Sequence, residues 1–436
     1  MGNPPISTTG RALLGIERVI VPLWLIVASY LLLAVMVVKV VWTLAMARRY
    51  HAKGSWRQGG TTPSTVSVIV PAFNEEATLA NNMRGLDRQT WHSVEVIVVD
   101  DGSTDRTAVV ATQMASQMTT PTRVISKANG GKADALNAGL QVAKGEIVVC
   151  VDADSVLHPE AIERVLEPFA DETIGAVGGI VKIANQNTVL GRQQAMEYIS
   201  GLTLQRAAFA EVDSIQVLSG AISAFRREAL QHVGGYSDET IVEDFDVTVA
   251  VRQAGYRTAL HPDAVAYTEG PLSVADLVRQ RHRWTYGGFQ VLGKYRHTLF
   301  TNGMGRLSRI GLPYFLVFPW FDVAVSLLFA LTLGFAVTSG DLTAFLTYFG
   351  VMSALNLALN LYAVRIANED RRLALWGMVQ PLFYAHILTL TTARAGVLYL
   401  AGRDAAWHKL VRAGHNEVPA SARGELITVD HAVLAA

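Results

Sequence analysis

Four groups of polar residues stand where side-chain chemistry would be expected. Asp152-Ala153-Asp154 follows a short apolar run at 146–151, Asp100 and Asp101 follow another at 94–99, and Asn74, Glu75 and Glu76 follow a third at 66–70. Glu243, Asp244 and Asp246 form the fourth, near the start of an expected helix. Paired carboxylates directly after a buried strand suit a hard divalent cation, because magnesium and manganese take oxygen ligands and leave positions for phosphate oxygens. The same residue types also occur as plain strand-end turns and helix first-turn acids. The single cysteine, Cys150, excludes an internal disulfide framework and a cysteine-built metal site.

The elements that must position these groups alternate. Strand-like runs at 66–70, 94–99, 123–126 and 146–151 are separated by helix-like segments at 75–88, 104–118 and 132–142. Such alternation predicts a doubly wound, mostly parallel α/β sheet. In an open sheet of this kind the ligand crevice lies at the carboxyl ends of the strands, so the acidic groups gather at one site, and a nucleotide is the expected ligand. No GxGxxG follows the first strand. Asn129-Gly130-Gly131-Lys132-Ala133 lacks the first glycine and the final Ser or Thr of a phosphate-binding P-loop. A dehydrogenase and a kinase-like ATPase are therefore excluded.

Composition adds a membrane. Only 17% of the 436 residues are charged and 50% are hydrophobic, against about 25% charged in ordinary soluble domains. Residues 19–47, 310–340, 342–364 and 373–393 are apolar stretches of the length a bilayer requires, about 20 residues. They bracket a polar region at 60–300, giving an N-terminal region 1–59, a central domain 60–300, a membrane region 301–402 and a polar tail 403–436. Arg48, Arg49, Lys53 and Arg57 follow the first span, against Arg11 and Arg18 before it, so the positive-inside rule places the central domain in the cytoplasm. The tail, with Arg403, Lys409, Arg412 and Arg423, disagrees with simple alternation, unless the 373–400 region, broken by Pro381 and Arg394, re-enters instead of crossing. Lys39 and Asp322 at membrane depth are candidate pore-lining groups, or else a snorkelling or helix–helix contact. With 37 basic and 37 acidic residues the net charge is zero, and no nucleic-acid partner is expected.

The motifs taken together resemble the family 2 glycosyltransferases. The run Val66-Ser67-Val68-Ile69-Val70-Pro71-Ala72-Phe73-Asn74-Glu75-Glu76 comes first, followed by Asp100-Asp101-Gly102-Ser103, Asp152-Ala153-Asp154, Glu243-Asp244 and Gln280-Arg281-His282-Arg283-Trp284. Within that family the chain is similar to the processive membrane synthases of cellulose, chitin, hyaluronan and, above all, poly-N-acetylglucosamine. The resemblance implies a GT-A type α/β domain inserted between transmembrane helices, and a divalent cation, Mg2+ or Mn2+. It assigns the donor, a UDP-sugar, to Ala72, Asn74, Glu75, Asp101, Lys132 and Asp152, and the metal to Asp152 and Asp154. It makes Asp244 the general base of an inverting transfer, and gives Gln280, Arg283 and Trp284 to the acceptor end and the diphosphate. Where the family often has threonine before the Glu-Asp pair, this chain has Val242.

The partners implied are the UDP-sugar, the growing polysaccharide and the lipid bilayer, with room for small membrane or export subunits and with the inner membrane as the location. Residues 217–230 and Gly234-Gly235-Tyr236-Ser237-Asp238 resemble the poly-N-acetylglucosamine synthases, a likeness that implies UDP-N-acetylglucosamine as donor, with UDP-glucose as the rival. A non-processive transferase acting on a lipid and an inactive membrane scaffold or pore are the competing readings.

Overall fold

The computed structural model describes residues 23–54, 56, 62–340, 342–403 and 412–417. Arg11, Arg18, Arg57, Lys409, Arg423 and the first residues of the expected first span lie outside them.

The chain enters through helix α1 (Leu23–Lys53) and then alternates β1 (Val66–Ala72), α2 (Leu79–Asp87), β2 (Val94–Asp101), α3 (Thr107–Ala115), β3 (Thr122–Lys127), α4 (Lys132–Val142) and β4 (Ile147–Cys150). The next stretch holds β5 (Ser155–Leu157), α5 (Ala161–Leu166), β6 (Ile174–Ile183), α6 (Val189–Tyr198) and α7 (Arg206–Glu211). It continues with β7 (Ser223–Arg226), α8 (Arg227–His232), α9 (Glu243–Gln253), β8 (Arg257–Thr268) and α10 (Val274–Lys294). Helices α11 (Leu312–Ser339), α12 (Thr343–Ile366), α13 (Leu373–Val379) and α14 (Tyr384–Leu400) complete the described chain.

The eight strands form one sheet in the order β3-β2-β1-β4-β7-β6-β8-β5. Strands β1 to β4 pair in parallel, as do β6 and β8, while β7 runs antiparallel to both β4 and β6, and β5 antiparallel to β8. The expected mostly parallel sheet is present. Strands β1 and β4 are near-continuous Val/Ile runs because helices cover both faces, so no polar alternation is tolerated there.

The first two helices begin later than the apolar pattern suggested, at Leu79 and Thr107 rather than 75 and 104. The reason is a pair of interlocked strand-end loops. Asn74 adopts a left-handed backbone (φ 53°), its Oδ1 accepts from the Thr104 amide at 2.7 Å, and its own amide donates to Ser103 Oγ at 2.9 Å. These bonds hold both loops out of helix and open the sheet edge there.

Among the described residues three helices are long and apolar enough to cross a membrane: Trp24–Lys53, Leu307–Ser339 and Phe345–Ile366. The segment expected as a single span at 373–393 is instead two helices meeting at 55°, broken by a 3-10 turn at Gln380–Leu382 that contains Pro381. Arg394 lies inside α14 and breaks nothing. Lys39 and Asp322 make the helix–helix contact expected as one reading of these charges: they pair at 3.5 Å between α1 and α11, and Lys39 also lies 5.0 Å from the Phe318 ring centroid. A second small core of Val242, Phe245, Val249, Phe289, Leu292 and Leu312 locks α9 and α10 to the start of α11, fixing the sheet domain against the apolar helices.

Candidate functional site

Lys132 is the centre of the arrangement at the carboxyl ends of the strands. It is the first residue of α4, set by Gly131, whose φ of 90° only glycine adopts without strain. Its Nζ lies 2.6 Å from Asp152 Oδ1 and 2.7 Å from Glu243 Oε1, so the turn after β4 and the start of α9 meet on one ammonium. Burial works against that charge, but the carboxylates of Asp152, Glu243 and Asp244 outweigh it and hold the lysine well above its ordinary pKa. Gly220 closes the space. A Cβ there would lie 2.7 Å from Lys132 Nζ and 3.2 Å from Asp152 Oδ1, so any side chain would push the lysine off its pairing position.

Asp244 sits beside Glu243 in the first turn of α9, and its Oδ2 accepts from the Gly220 amide at 3.2 Å. Burial and the neighbouring Glu243 push its carboxyl up to about 6, with Lys132 opposing. A carboxylate with that pKa is largely ionised at neutral pH yet a better proton acceptor than a free aspartate. Asp246, two residues on, serves the fold: it is fully buried and holds Thr240, Lys294 and Tyr295.

The donor residues expected from sequence divide. Ala72 ends β1, buried, and Asn74 ties the two loops as described. The Glu75 carboxylate accepts from Thr78 Oγ1 at 2.6 Å. Asp101 is committed to the protein: it accepts from Lys127 Nζ at 2.7 Å and from the Gly130 and Gly131 amides at 3.0 and 2.8 Å. Its carboxylate therefore shapes the loop that delivers Lys132.

Asp152 and Asp154 do not converge with a third acidic, histidine or cysteine ligand among the described residues. Instead each faces a cation, Asp152 against Lys132 and Asp154 against the guanidinium of Arg412. Arg412 was expected only as one more charge in the tail. Residues 412–417 in fact lie across the strand ends: the Glu269 carboxylate accepts from the amides of Ala413, Gly414 and His415 at 3.1, 3.0 and 3.2 Å, and Asn416 bonds both the Thr78 carbonyl and Asn81. No spacing signal announces this contact.

Helix α10 carries the other side of the site. It is amphipathic, starts at a Ser273 cap and packs along α14. Trp284 is half-buried, with the Arg281 guanidinium 4.2 Å from its ring centroid. Arg281 in turn makes two bonds to Glu197, at 3.0 and 2.8 Å, and the Tyr384 hydroxyl donates to the same carboxylate. Gln280, expected at the acceptor end, is buried and accepts from Arg281. Arg283 is half-buried on the same helix. The motif names Arg281 without giving it a role, and no motif names Glu197, yet the two together fix the Trp284 ring.

Residues 63–287 match the family described as "Glycosyltransferase like family 2". The poly-β-1,6-N-acetyl-D-glucosamine synthase of Staphylococcus epidermidis is 30% identical over 228 residues, which are 52% of this chain and 55% of that protein. The synthase of the same name from Staphylococcus aureus (strain COL) is 29% identical over the same shares. The chain spans about half the length of the curated relatives it matches. A mannosyltransferase of Pyrobaculum calidifontis, solved in complex with GDP-Man and Mn2+, superposes with a TM-score of 0.60 at 23% identity, over 83% of this chain and 99% of that one. That likeness shows the fold, which is of the GT-A type.

Proposed function

From the premise that this chain belongs to the glycosyltransferase-like family 2, we propose that it is a processive synthase. It would transfer N-acetylglucosamine from UDP-N-acetylglucosamine to a growing β-linked polysaccharide and export the product through its own membrane helices. The observation that carries this reading is the meeting of Asp152, Glu243 and Lys132 at the strand ends, with Asp244 beside them at a raised pKa.

In that arrangement the Asp244 carboxylate takes the proton of the acceptor hydroxyl as its oxygen attacks the anomeric carbon. Lys132 supplies positive charge toward the donor diphosphate, and Trp284 offers an apolar face to the acceptor sugar. Arg281 and Glu197 hold that ring in place. The Asp154 and Asp152 carboxylates fit a divalent cation in donor type: both offer oxygen, and both already face a positive group, so the site's charge is made for one. Asp152 and Asp154 would hold the ion through carboxylate oxygen, the ligand type that magnesium and manganese prefer. When bound, the ion stabilises the charge on the departing UDP. The relatives' printed names support the sugar, and the apolar helices support a multi-pass location in the inner membrane with the sheet domain inside. Small partner subunits are compatible with this reading.

The test is the full-length protein in lipid vesicles with a panel of UDP-sugars, reading UDP release and polymer size. UDP-N-acetylglucosamine should give the fastest release and the longest polymer. A faster and longer reaction from UDP-glucose would overturn the sugar, and no UDP release from any donor would overturn the enzyme reading. Protease added to sealed right-side-out cells should spare residues 60–300. Cleavage there would reverse the topology.

A further inference from the structure

Lys132 with Asp152 and Glu243 makes the donor wall of the site. The acceptor wall is α10, and two contacts fix where that helix runs. A Cβ at Gly287 would lie 2.7 Å from the Val242 side chain, and Gln290 Oε1 accepts from the Ile241 amide at 3.1 Å. Helix α10 is thus seated on the residues directly before Glu243 and Asp244. Trp284 precedes Gly287 by one turn on the same face, which holds the tryptophan next to the start of α9.

The contacts that set the Trp284 ring end in the membrane region. The Arg281 guanidinium lies 4.2 Å from the ring centroid, and its Nε and Nη2 donate to Glu197 Oε1 and Oε2 at 3.0 and 2.8 Å. Glu197 Oε2 also accepts from the Tyr384 hydroxyl. Tyr384 is buried and is the first residue of α14, two positions after the 3-10 turn that breaks the last apolar segment. One carboxylate therefore joins α6, α10 and α14.

Helix α6 holds the other limb of the bend as well. Gln193, one turn before Glu197, donates from Nε2 to the Trp376 carbonyl at 3.3 Å, and its own carbonyl accepts from Gln380 Nε2 at 2.9 Å. The Arg192 guanidinium lies 5.3 Å from the Trp376 ring centroid. Both limbs of the bent segment are thus tied by polar contacts to one helix. Hydrogen bonds are directional, so they fix the register of packed helices where apolar contact alone leaves it free to slide. Of these ties, the one made by Tyr384 runs on to the tryptophan.

We propose that Tyr384 is a positioning residue for processivity: by pinning Glu197, and through it Arg281, it keeps the Trp284 ring in one orientation against the end of the nascent saccharide between transfers. This rests on the synthase reading of the site. A processive enzyme keeps its product bound while UDP leaves and new donor enters, so the rate at which the saccharide escapes, set against the rate of transfer, fixes polymer length. Losing the hydroxyl–carboxylate bond should raise that escape rate by about three- to tenfold and leave the donor wall as it is.

The experiment uses the full chain in lipid vesicles. Tyr384→Phe, which keeps the ring and removes only the hydroxyl, is compared with wild type for donor KM, for mean polymer length, and for the dissociation rate of short 1,4- and 1,6-linked N-acetylglucosamine oligosaccharides measured without donor. Tyr384→Phe should keep donor KM within about twofold while the oligosaccharide leaves about three- to tenfold faster and the polymer shortens in proportion. Arg281→Met should shorten the polymer further. Adding Tyr384→Phe to it should change nothing more, because the tyrosine acts through that arginine. Arg281→Lys, which keeps the charge beside Glu197, serves the same cycle if the methionine variant does not fold. A tyrosine that merely stabilised the fold would lower the melting point, leave the dissociation rate alone and add its effect to that of the arginine variant. Unchanged dissociation and length in Tyr384→Phe, a parallel loss of donor affinity, or additive effects in the double variant would each overturn the proposal, as would failure of wild type to bind the oligosaccharide. If wild type makes no polymer from any UDP-sugar, the synthase reading falls and the dissociation rates alone decide the assignment. If wild type polymerises normally and Tyr384→Phe matches it in every measure, this assignment alone is wrong.

Discussion

The two walls of the site are built on opposite principles. On the donor wall nearly every charge is already matched: Lys132 by Asp152 and Glu243, Asp101 by Lys127 and two amides, Asp154 by Arg412. On the other side Arg281 is matched by Glu197, but Asp244 keeps a carboxyl raised by burial and by the adjacent Glu243. A matched wall is preorganised and can exchange one cation for another as a charged ligand arrives. A carboxyl raised in this way is a better proton acceptor than a free aspartate, and a proton delivered to it costs less.

The largest test of this contrast is at Asp244. Asp244→Asn should lower transfer by about a thousandfold or more while UDP affinity stays nearly constant, since it removes a proton acceptor and leaves the donor wall whole. A collapse of UDP affinity, measured by titration, would place Asp244 on the wrong wall. Next in size, chelation should remove activity and excess Mg2+ or Mn2+ should restore it, with Asp154→Asn mimicking the loss. Arg412→Gln should then reach half-maximal activity at a several-fold lower metal concentration, because the competing guanidinium is gone. Full activity in excess chelator would contradict the whole donor-wall account.

Lys132→Ala should weaken UDP binding about tenfold and move the acid limb of kcat/KM above pH 6. Removing the cation that opposes the rise leaves burial and Glu243 to push Asp244 higher still, so more base is protonated at a given pH. An acid limb that stays in place would break the link between the two walls. The smallest effect concerns stability. A carboxyl raised in the folded state stabilises the fold below the unfolded pKa and loses that contribution as pH rises through about 6. Because Asp244 is partly exposed, Asp244→Asn should gain only on the order of 1 kcal/mol at pH 7, and nothing at pH 3, in parallel melts.

The same division explains what could be read in advance. The donor wall is made of residues that follow Val/Ile strands within a few positions, so the strand pattern alone brings Asp101, Asp152 and Lys132 to one edge, and Asp244 announces itself as a helix first-turn acid. Helix starts were misplaced where Asn74 and Thr104 exchange bonds across two loops, because that bond is not local in sequence. The acceptor wall is assembled by packing between distant segments. Glu197 and Tyr198 follow no strand and carry no motif, and the π-helical turn that follows them is a departure from the 3.6-residue period that pattern reading relies on. Pro381 marked the break in the last apolar segment correctly, whereas the seating of Arg412 on Asp154 joins two regions whose sequences say nothing of each other.

The mooring of residues 412–417 has an evolutionary corollary. Three of its bonds to Glu269 come from backbone amides, which every residue except proline possesses. Ala413 and His415 are thus open to drift in side chain while the chain keeps its berth. Gly414 is not, because its φ of 82° and the Ala77 carbonyl 2.7 Å from where a Cβ would stand admit only glycine. A lineage could therefore rewrite what this segment shows to solvent, and to anything that touches the enzyme there, without moving Arg412 off the mouth of the crevice.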